Sequence, residues 1–154
     1  MGSPSKFLVQ TEGTLRQVID NLVDAQEGLQ KIGEAIKEEP VKRFLLAESL
    51  ARAEFRGELE NLLHQEGVRD MHETGTAAGK LLKAWSGLKL KLGAADDALL
   101  EIAEKEEQKA IEAYHQALSK KLPGPIKEEL TTQVQRVVAS HKFIAKARES
   151  HRAA

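Results

Sequence analysis

Two glutamates, Glu104 and Glu107, are the residues of this sequence whose type and spacing point most directly to chemistry. They belong to a stripe whose members recur at alternating intervals of four and three residues, the periodicity of one helix face. The stripe consists of Leu100, Glu104, Glu107, Ile111, Tyr114 and Leu118. Carboxylates are rarely buried unless a positive charge or a metal ion compensates them. We therefore expect a partner for both glutamates, and the nature of that partner decides what the protein does.

Polar residues also interrupt the apolar stripes of the three other helices expected from the sequence. The predicted inward-facing polar set is Gln26, Glu48, Arg52, Glu104, Glu107, Gln133 and His141. In one interpretation, the guanidinium of Arg52 binds one carboxylate through two hydrogen bonds and forms a buried ion network. The sequence alone does not decide whether Arg52 binds Glu104 or Glu107, because the rotation and stagger of the helices are unknown.

A second interpretation is a solvated groove, in which water compensates the glutamates, and a third is a metal site. Its ligands would be Glu48, Glu104, Glu107 and His141, with water or Gln133 completing the coordination. An arginine beside such a site would repel the cation, and a single histidine on an apolar helix face is more often a hydrogen-bonded core residue. The sequence therefore favours the ion network, and it gives no set of catalytic residues.

The elements that must position these residues are all helices. Apolar periodicity predicts four long helices over residues 11–37, 40–66, 95–120 and 125–150, each roughly 39 Å long at 1.5 Å per residue. Pro40 and Gly67 delimit the second helix, and Asp96 or Asp97 is expected to cap the third. A long crossover should carry a shorter helix over about 76–92, anchored by Trp85. We expect one domain over 11–150, preceded by a flexible N-terminus or expression remnant over residues 1–10.

Composition excludes several classes of function. The 154 residues include 23 basic and 24 acidic ones, so the net charge of -1 gives no field that would attract nucleic acid. There is no cysteine, hence no disulfide, thiolate nucleophile or iron–sulfur site. No apolar run suits a membrane span or a signal peptide, and no phosphate-binding loop, nucleophile elbow or zinc-protease motif occurs. These features predict a cytoplasmic protein, and they argue against an enzyme that works through a nucleophile and a base.

Several short motifs resemble an uncharacterised bacterial family of ferritin-like four-helix bundles. They are Asp24-Ala25-Gln26-Glu27-Gly28-Leu29, Arg52-Ala53-Glu54-Phe55, Glu58-Leu59, Trp85-Ser86-Gly87-Leu88-Lys89, Asp96-Asp97, Glu104-Lys105-Glu106-Glu107, Ala113-Tyr114, Gln133 and His141. The resemblance covers about residues 11–150 and implies two antiparallel hairpins joined by the crossover. The wider superfamily often binds two iron or manganese ions through one Glu from each of two helices and an E-x-x-H pair from each of the others. Glu112 and His115 have that spacing, but Tyr114 holds the buried stripe and leaves both towards solvent.

Three functional hypotheses follow from these observations. The first is a non-enzymatic ferritin-like bundle without a cofactor, acting as a stress-associated structural or interaction module. The second is a di-iron or di-manganese oxidase or oxygen-handling protein that uses the metal ligands named above. The third is a homo-oligomer that associates through exposed apolar helix positions such as Leu63 and Leu90.

Overall fold

The computed structural model describes residues 6–68 and 95–153, and these residues form four helices. They are α1 (Lys6–Ala35), α2 (Glu39–Gln65), α3 (Asp96–Leu118) and α4 (Gly124–Ala153). Neither described range contains a β-strand, which agrees with the predicted all-α class. The predicted crossover helix over 76–92, with Trp85 and Leu90, lies outside the described residues.

Helix α1 begins at Lys6, five residues before the predicted start. Its buried stripe continues towards the N-terminus, since Thr11 is buried and Leu8 is half-buried, at the same spacing as Leu15 and Val18. The Thr11 hydroxyl donates a hydrogen bond to the carbonyl oxygen of Phe7 at 2.9 Å, which satisfies that buried group within the helix. The first turn of α1 is therefore part of the folded structure.

The four helices surround two apolar clusters, one towards each end of the bundle. Helix α1 packs against α2 and α3, and α4 packs against α3 and α2, so α2 and α3 face each other diagonally. The first cluster joins the start of α1 and α4 to the end of α2 and α3, and the second joins the opposite ends. Burying these side chains supplies the main driving force for folding. The first cluster includes Leu15, Leu22, Leu59, Leu63, Ile111, Tyr114, Leu130 and Val137, and the second includes Leu29, Ile32, Ile36, Leu45, Leu99, Leu100 and Ile144.

The turn between α1 and α2 is held by α3. Asp96 was expected to cap its own helix, but Ala95 holds that position and makes no side-chain cap. Asp96 instead accepts hydrogen bonds from the backbone N–H groups of Lys37 and Glu38, at 3.0 and 3.1 Å. It satisfies donors at the start of α2 and fixes α3 to that end of the bundle. Gly67, with a φ of 105°, ends α2 in the left-handed conformation that the sequence predicts.

The exposed apolar residues of the described part differ from those predicted. Leu63, expected to be exposed, is fully buried in the first cluster, because it continues the inward stripe of α2 four residues after Leu59. The exposed large apolar residues of the described part include Leu50 and Phe143. No helix in residues 6–68 or 95–153 combines the length and apolar character that crossing a membrane demands.

Candidate functional site

Buried polar side chains form a layer between the two apolar clusters. On every helix, a short segment separates the residues that pack into the first cluster from those that pack into the second. Each of these four segments contains at least one buried polar residue. We call this set the central polar layer. It consists of Asp24 on α1, Glu48, Ser49 and Arg52 on α2, Glu107 on α3 and Ser140 on α4, all of them buried.

A buried ion pair between Arg52 and Glu107 crosses the central polar layer. Nη1 of Arg52 donates to Oε1 of Glu107 at 2.7 Å, and Nη2 donates to Oε2 at 2.6 Å. The two side chains are 0% and 1% exposed, and they join the diagonally opposed helices α2 and α3. Burial is the largest single cause and acts to lower the pKa of Arg52, but the charge and hydrogen bonds of Glu107, together with Glu48 and Tyr114, raise the pKa overall. The guanidinium stays charged and compensates Glu107 fully.

The two other predicted carboxylates have arginine partners that the sequence did not identify. Nε of Arg136 donates to Oε2 of Glu48 at 3.0 Å, linking α4 to α2. Nη1 of Arg148 donates to Oε2 of Glu104 at 2.8 Å, linking α4 to α3. Arg52, Arg136 and Arg148 thus each bind a different carboxylate.

Glu104 does not share the inward position of Glu107. It is half-buried at the side of α3, because Ala103 takes the place on the buried stripe between Leu100 and Glu107. The face that α3 buries contains Leu100, Ala103 and Glu107, at intervals of three and then four residues. The stripe predicted from the sequence passed through Glu104 and had these two intervals in the opposite order. The two glutamates that looked like one pair in sequence therefore belong to separate ion pairs.

Gln133 lies about two turns before Ser140 on α4 and belongs to a hydrogen-bonded chain. Its Oε1 accepts a hydrogen bond from the Tyr114 hydroxyl at 2.8 Å. Its Nε2 donates to Oε2 of Glu129 at 2.9 Å and to the carbonyl oxygen of Phe55 at 3.2 Å. Burial is the largest cause that raises the pKa of Tyr114, so its hydroxyl keeps its proton and acts as a donor.

Gln26 and His141 occupy less central positions than the sequence predicts. Both are half-buried. The backbone carbonyl of Gln26, rather than its amide side chain, accepts a hydrogen bond from the Ser49 hydroxyl at 2.6 Å. On α4, Ser140 takes the inward position beside His141 because it continues the stripe of Gln133 and Val137 at intervals of four and three.

The sequence did not identify three residues of the central polar layer, the uncharged Ser49 and Ser140 and the acid Asp24. The side chain of Asp24 is 1% exposed, and neither carboxylate oxygen has a hydrogen-bond partner within the described residues. Burial is the largest cause that raises the pKa of Asp24 to about 7, and the charges of Glu27, Asp20 and Glu106 add to it. One signal was present in the sequence. Gly28, one turn after Asp24, removes a side chain from the same face and is itself buried.

The geometry does not bring the predicted metal ligands together. Among the described residues, no group of three or more histidine, aspartate or glutamate side chains is arranged to hold one metal ion. Glu48, Glu104 and Glu107 instead bind three different arginines. A di-metal centre of the ferritin type does not fit this arrangement. Both carboxylate oxygens of Glu107, which would coordinate the metal, bind the positively charged guanidinium of Arg52.

A surface groove of about 930 Å³ lies between the start of α1 and the end of α3. Polar side chains dominate its lining, which includes Gln10, Thr14, Gln17, Gln116, Lys120 and Lys121. None of the seven polar residues predicted from the sequence lines it. The groove therefore gives no substrate access to the central polar layer.

Comparison with known proteins identifies the family but not an activity. The model of a domain of unknown function, DUF2383, matches residues 10–120, which include most of α1 and all of α2 and α3. Helix α4, with Gln133 and His141, lies outside the matched residues. A search of curated proteins found no match. Because the match covers most of the chain, the protein belongs to the DUF2383 family of uncharacterised domains.

Proposed function

We propose that this protein is a non-enzymatic ferritin-like bundle of the bacterial cytoplasm that acts as a structural or interaction module, with a role in stress responses. The observation that carries the proposal is the bidentate pair of Arg52 and Glu107 at the bundle centre. In a metal-binding bundle of this type, inward carboxylates need a cation. Here arginine side chains supply the compensating charge.

The ferritin-like arrangement is part of the proposal, and the positions of the helix ends support it. Val68 packs against the first apolar cluster, whereas Asp96 binds the α1–α2 turn beside the second. The chain therefore leaves α2 and enters α3 at opposite ends of the bundle. A connection that returns along the bundle between two antiparallel hairpins meets this requirement.

Metal loading of the purified chain tests the cofactor-free function. The protein is incubated with iron(II) or manganese(II), desalted, and measured for bound metal by elemental analysis. We expect far less than one equivalent per chain, and the same value for Glu107→Ala. Uptake near two equivalents that is lost in Glu107→Ala would overturn the proposal in favour of a di-metal oxidase or oxygen-handling protein.

The interaction role includes self-association through exposed apolar side chains. Leu50 on α2 is 67% exposed, more than the other exposed large apolar side chains of the described residues, Phe7, Val9 and Phe143. Sedimentation velocity of the wild type and Leu50→Lys provides the test. We expect the wild type to sediment as an oligomer and the variant as a monomer, and a monomeric wild type would contradict this part of the proposal.

A further inference from the structure

Asp24 is a buried acid that the central ion pairs leave uncompensated. Its side chain is 1% exposed, and both carboxylate oxygens are covered and without a hydrogen-bond partner in the described part of the chain. An ionised carboxylate in such a place loses its hydration and gains nothing in return. The neutral acid avoids most of this penalty.

The charges that act on Asp24 add to the penalty of ionisation. Glu27 and Asp20 lie on its own helix, and Glu106 lies on α3, which packs against α1. Glu106 is itself paired on α3 with Lys109, at an Nζ to Oε1 distance of 3.1 Å. Negative charge thus reaches Asp24 from both sides of the contact between α1 and α3.

We propose that Asp24 makes the packing of α1 against α3 depend on protonation, so that the bundle is stable when this carboxyl is neutral and loosens when it ionises. The proposal rests on the burial of Asp24, its missing partners and the acidic side chains around it. It does not depend on whether the protein binds metal or on its biological role. A cell that becomes more acidic would thereby strengthen this helix contact.

The direction of the pH effect follows from proton binding in the two states. The pKa of Asp24 rises from an ordinary value of 3.8 to about 7 in the folded protein. Below the ordinary value both states are protonated, and Asp24 causes no pH dependence. Between the two values the folded state holds a proton that the unfolded state has lost, so stability falls as the pH rises. Above the higher value both states are ionised, and the full penalty persists.

Urea unfolding between about pH 5 and pH 8 tests this proposal. The wild type is compared with Asp24→Asn, which keeps the shape of a neutral carboxyl, and with Glu34→Gln. The control is matched because Glu34 is exposed on the same helix, its replacement also removes one negative charge, and it is not among the acids that act on Asp24.

We expect the folding equilibrium constant of Asp24→Asn, divided by that of the wild type, to rise by roughly tenfold or more over this range and then level off. The same ratio for Glu34→Gln should change far less. A ratio for Asp24→Asn that stays constant with pH would overturn the proposal.

A second measurement covers the case in which Asp24→Asn does not fold. The carboxyl carbon resonance of Asp24 in the wild-type protein reports its titration directly by NMR. A midpoint within about one unit of neutral pH supports the proposal, whereas a midpoint near the ordinary value of about 4 overturns it.

Discussion

Glu107 and Asp24 are two acids in the same layer of the bundle, equally buried, with opposite surroundings. Each side chain is 1% exposed. Glu107 binds the guanidinium of Arg52 through both oxygens, whereas neither oxygen of Asp24 has a partner in the described residues. The two acids are thus equally buried, but only Glu107 is bound to a compensating positive charge. The comparison shows that a carboxylate inside a helical bundle does not by itself indicate a metal site.

The partner also decides what each acid contributes. A fully paired carboxylate fixes the relative position of two helices, and its removal leaves an uncompensated cation. An unpaired carboxylate costs stability whenever it is ionised, so its removal relieves a penalty. Mutations at the two positions are therefore expected to change the stability in opposite directions.

The largest effect should come from removing the arginine. Arg52→Met leaves Glu107 buried without a cation and should lower the free energy of unfolding by about 3–5 kcal/mol at pH 8. The bare acid can then take up a proton, so the stability of this variant should also fall as the pH rises, as proposed for Asp24. Urea unfolding at several pH values measures both effects.

Arg16→Met is the control for this prediction. Arg16 binds Glu12 at 2.8 Å, but both side chains retain more than a quarter of their exposure. Water screens such a pair, and its loss should change the free energy of unfolding by less than about 1 kcal/mol. Equal effects at Arg52 and Arg16 would show that burial of the central pair has no energetic importance.

Neutralising each acid in turn should shift stability in opposite directions. At pH 8, Glu107→Gln should lower the free energy of unfolding by about 2–4 kcal/mol, because Arg52 loses its countercharge. Asp24→Asn should raise it by about 1–3 kcal/mol, because an ionised group leaves the interior. Thermal or urea unfolding at a single pH suffices, and changes of the same sign at both positions would contradict the distinction between them.

The neighbouring hydrogen bond should matter less than the ion pair. Tyr114→Phe removes the donor to Oε1 of Gln133 and should lower the free energy of unfolding by about 1–2 kcal/mol. Thr131→Ala, which removes an exposed hydroxyl bonded within α4, is the control and should stay within about 0.5 kcal/mol of the wild type. A larger loss of stability for Thr131→Ala than for Tyr114→Phe would contradict the expectation that the buried hydrogen bond contributes more than the exposed one.

The smallest effect is expected at the side of the bundle. Glu104→Gln weakens the contact with Arg148 where both side chains keep access to water, so the change should be below about 1 kcal/mol. Added salt should reduce this difference further. A loss that matches that of Glu107→Gln would place Glu104 with the buried acids.

The sequence predicted the helices well because apolar periodicity is a local property. Stripes at intervals of three and four residues identified all four helices of the described part, and breakers such as Pro40 and Gly67 marked their ends. Because Glu48 and Arg52 interrupt the apolar stripe of α2, the sequence also identified these two members of the central polar layer.

The pairing of the charged residues was beyond sequence reasoning because it depends on helix rotation. A rotation of about one residue, or roughly 100°, decides whether Ala103 or Glu104 faces inward on α3, and whether Ser140 or His141 does so on α4. Asp24 lies beside the apolar stripe of α1, between Leu22 and Leu29, and its burial depends on the packing of the assembled bundle. These outcomes require the assembled bundle.

A double-mutant cycle between Arg52 and Glu107 tests most directly the claim that arginine provides the countercharge at the bundle centre. The free energy of unfolding is measured at pH 8 for the wild type, Arg52→Met, Glu107→Leu and the double variant. We predict that the double variant is more stable than either single variant, with a coupling energy of about 2 kcal/mol or more. Additive losses, with a coupling energy near zero, would contradict the claim.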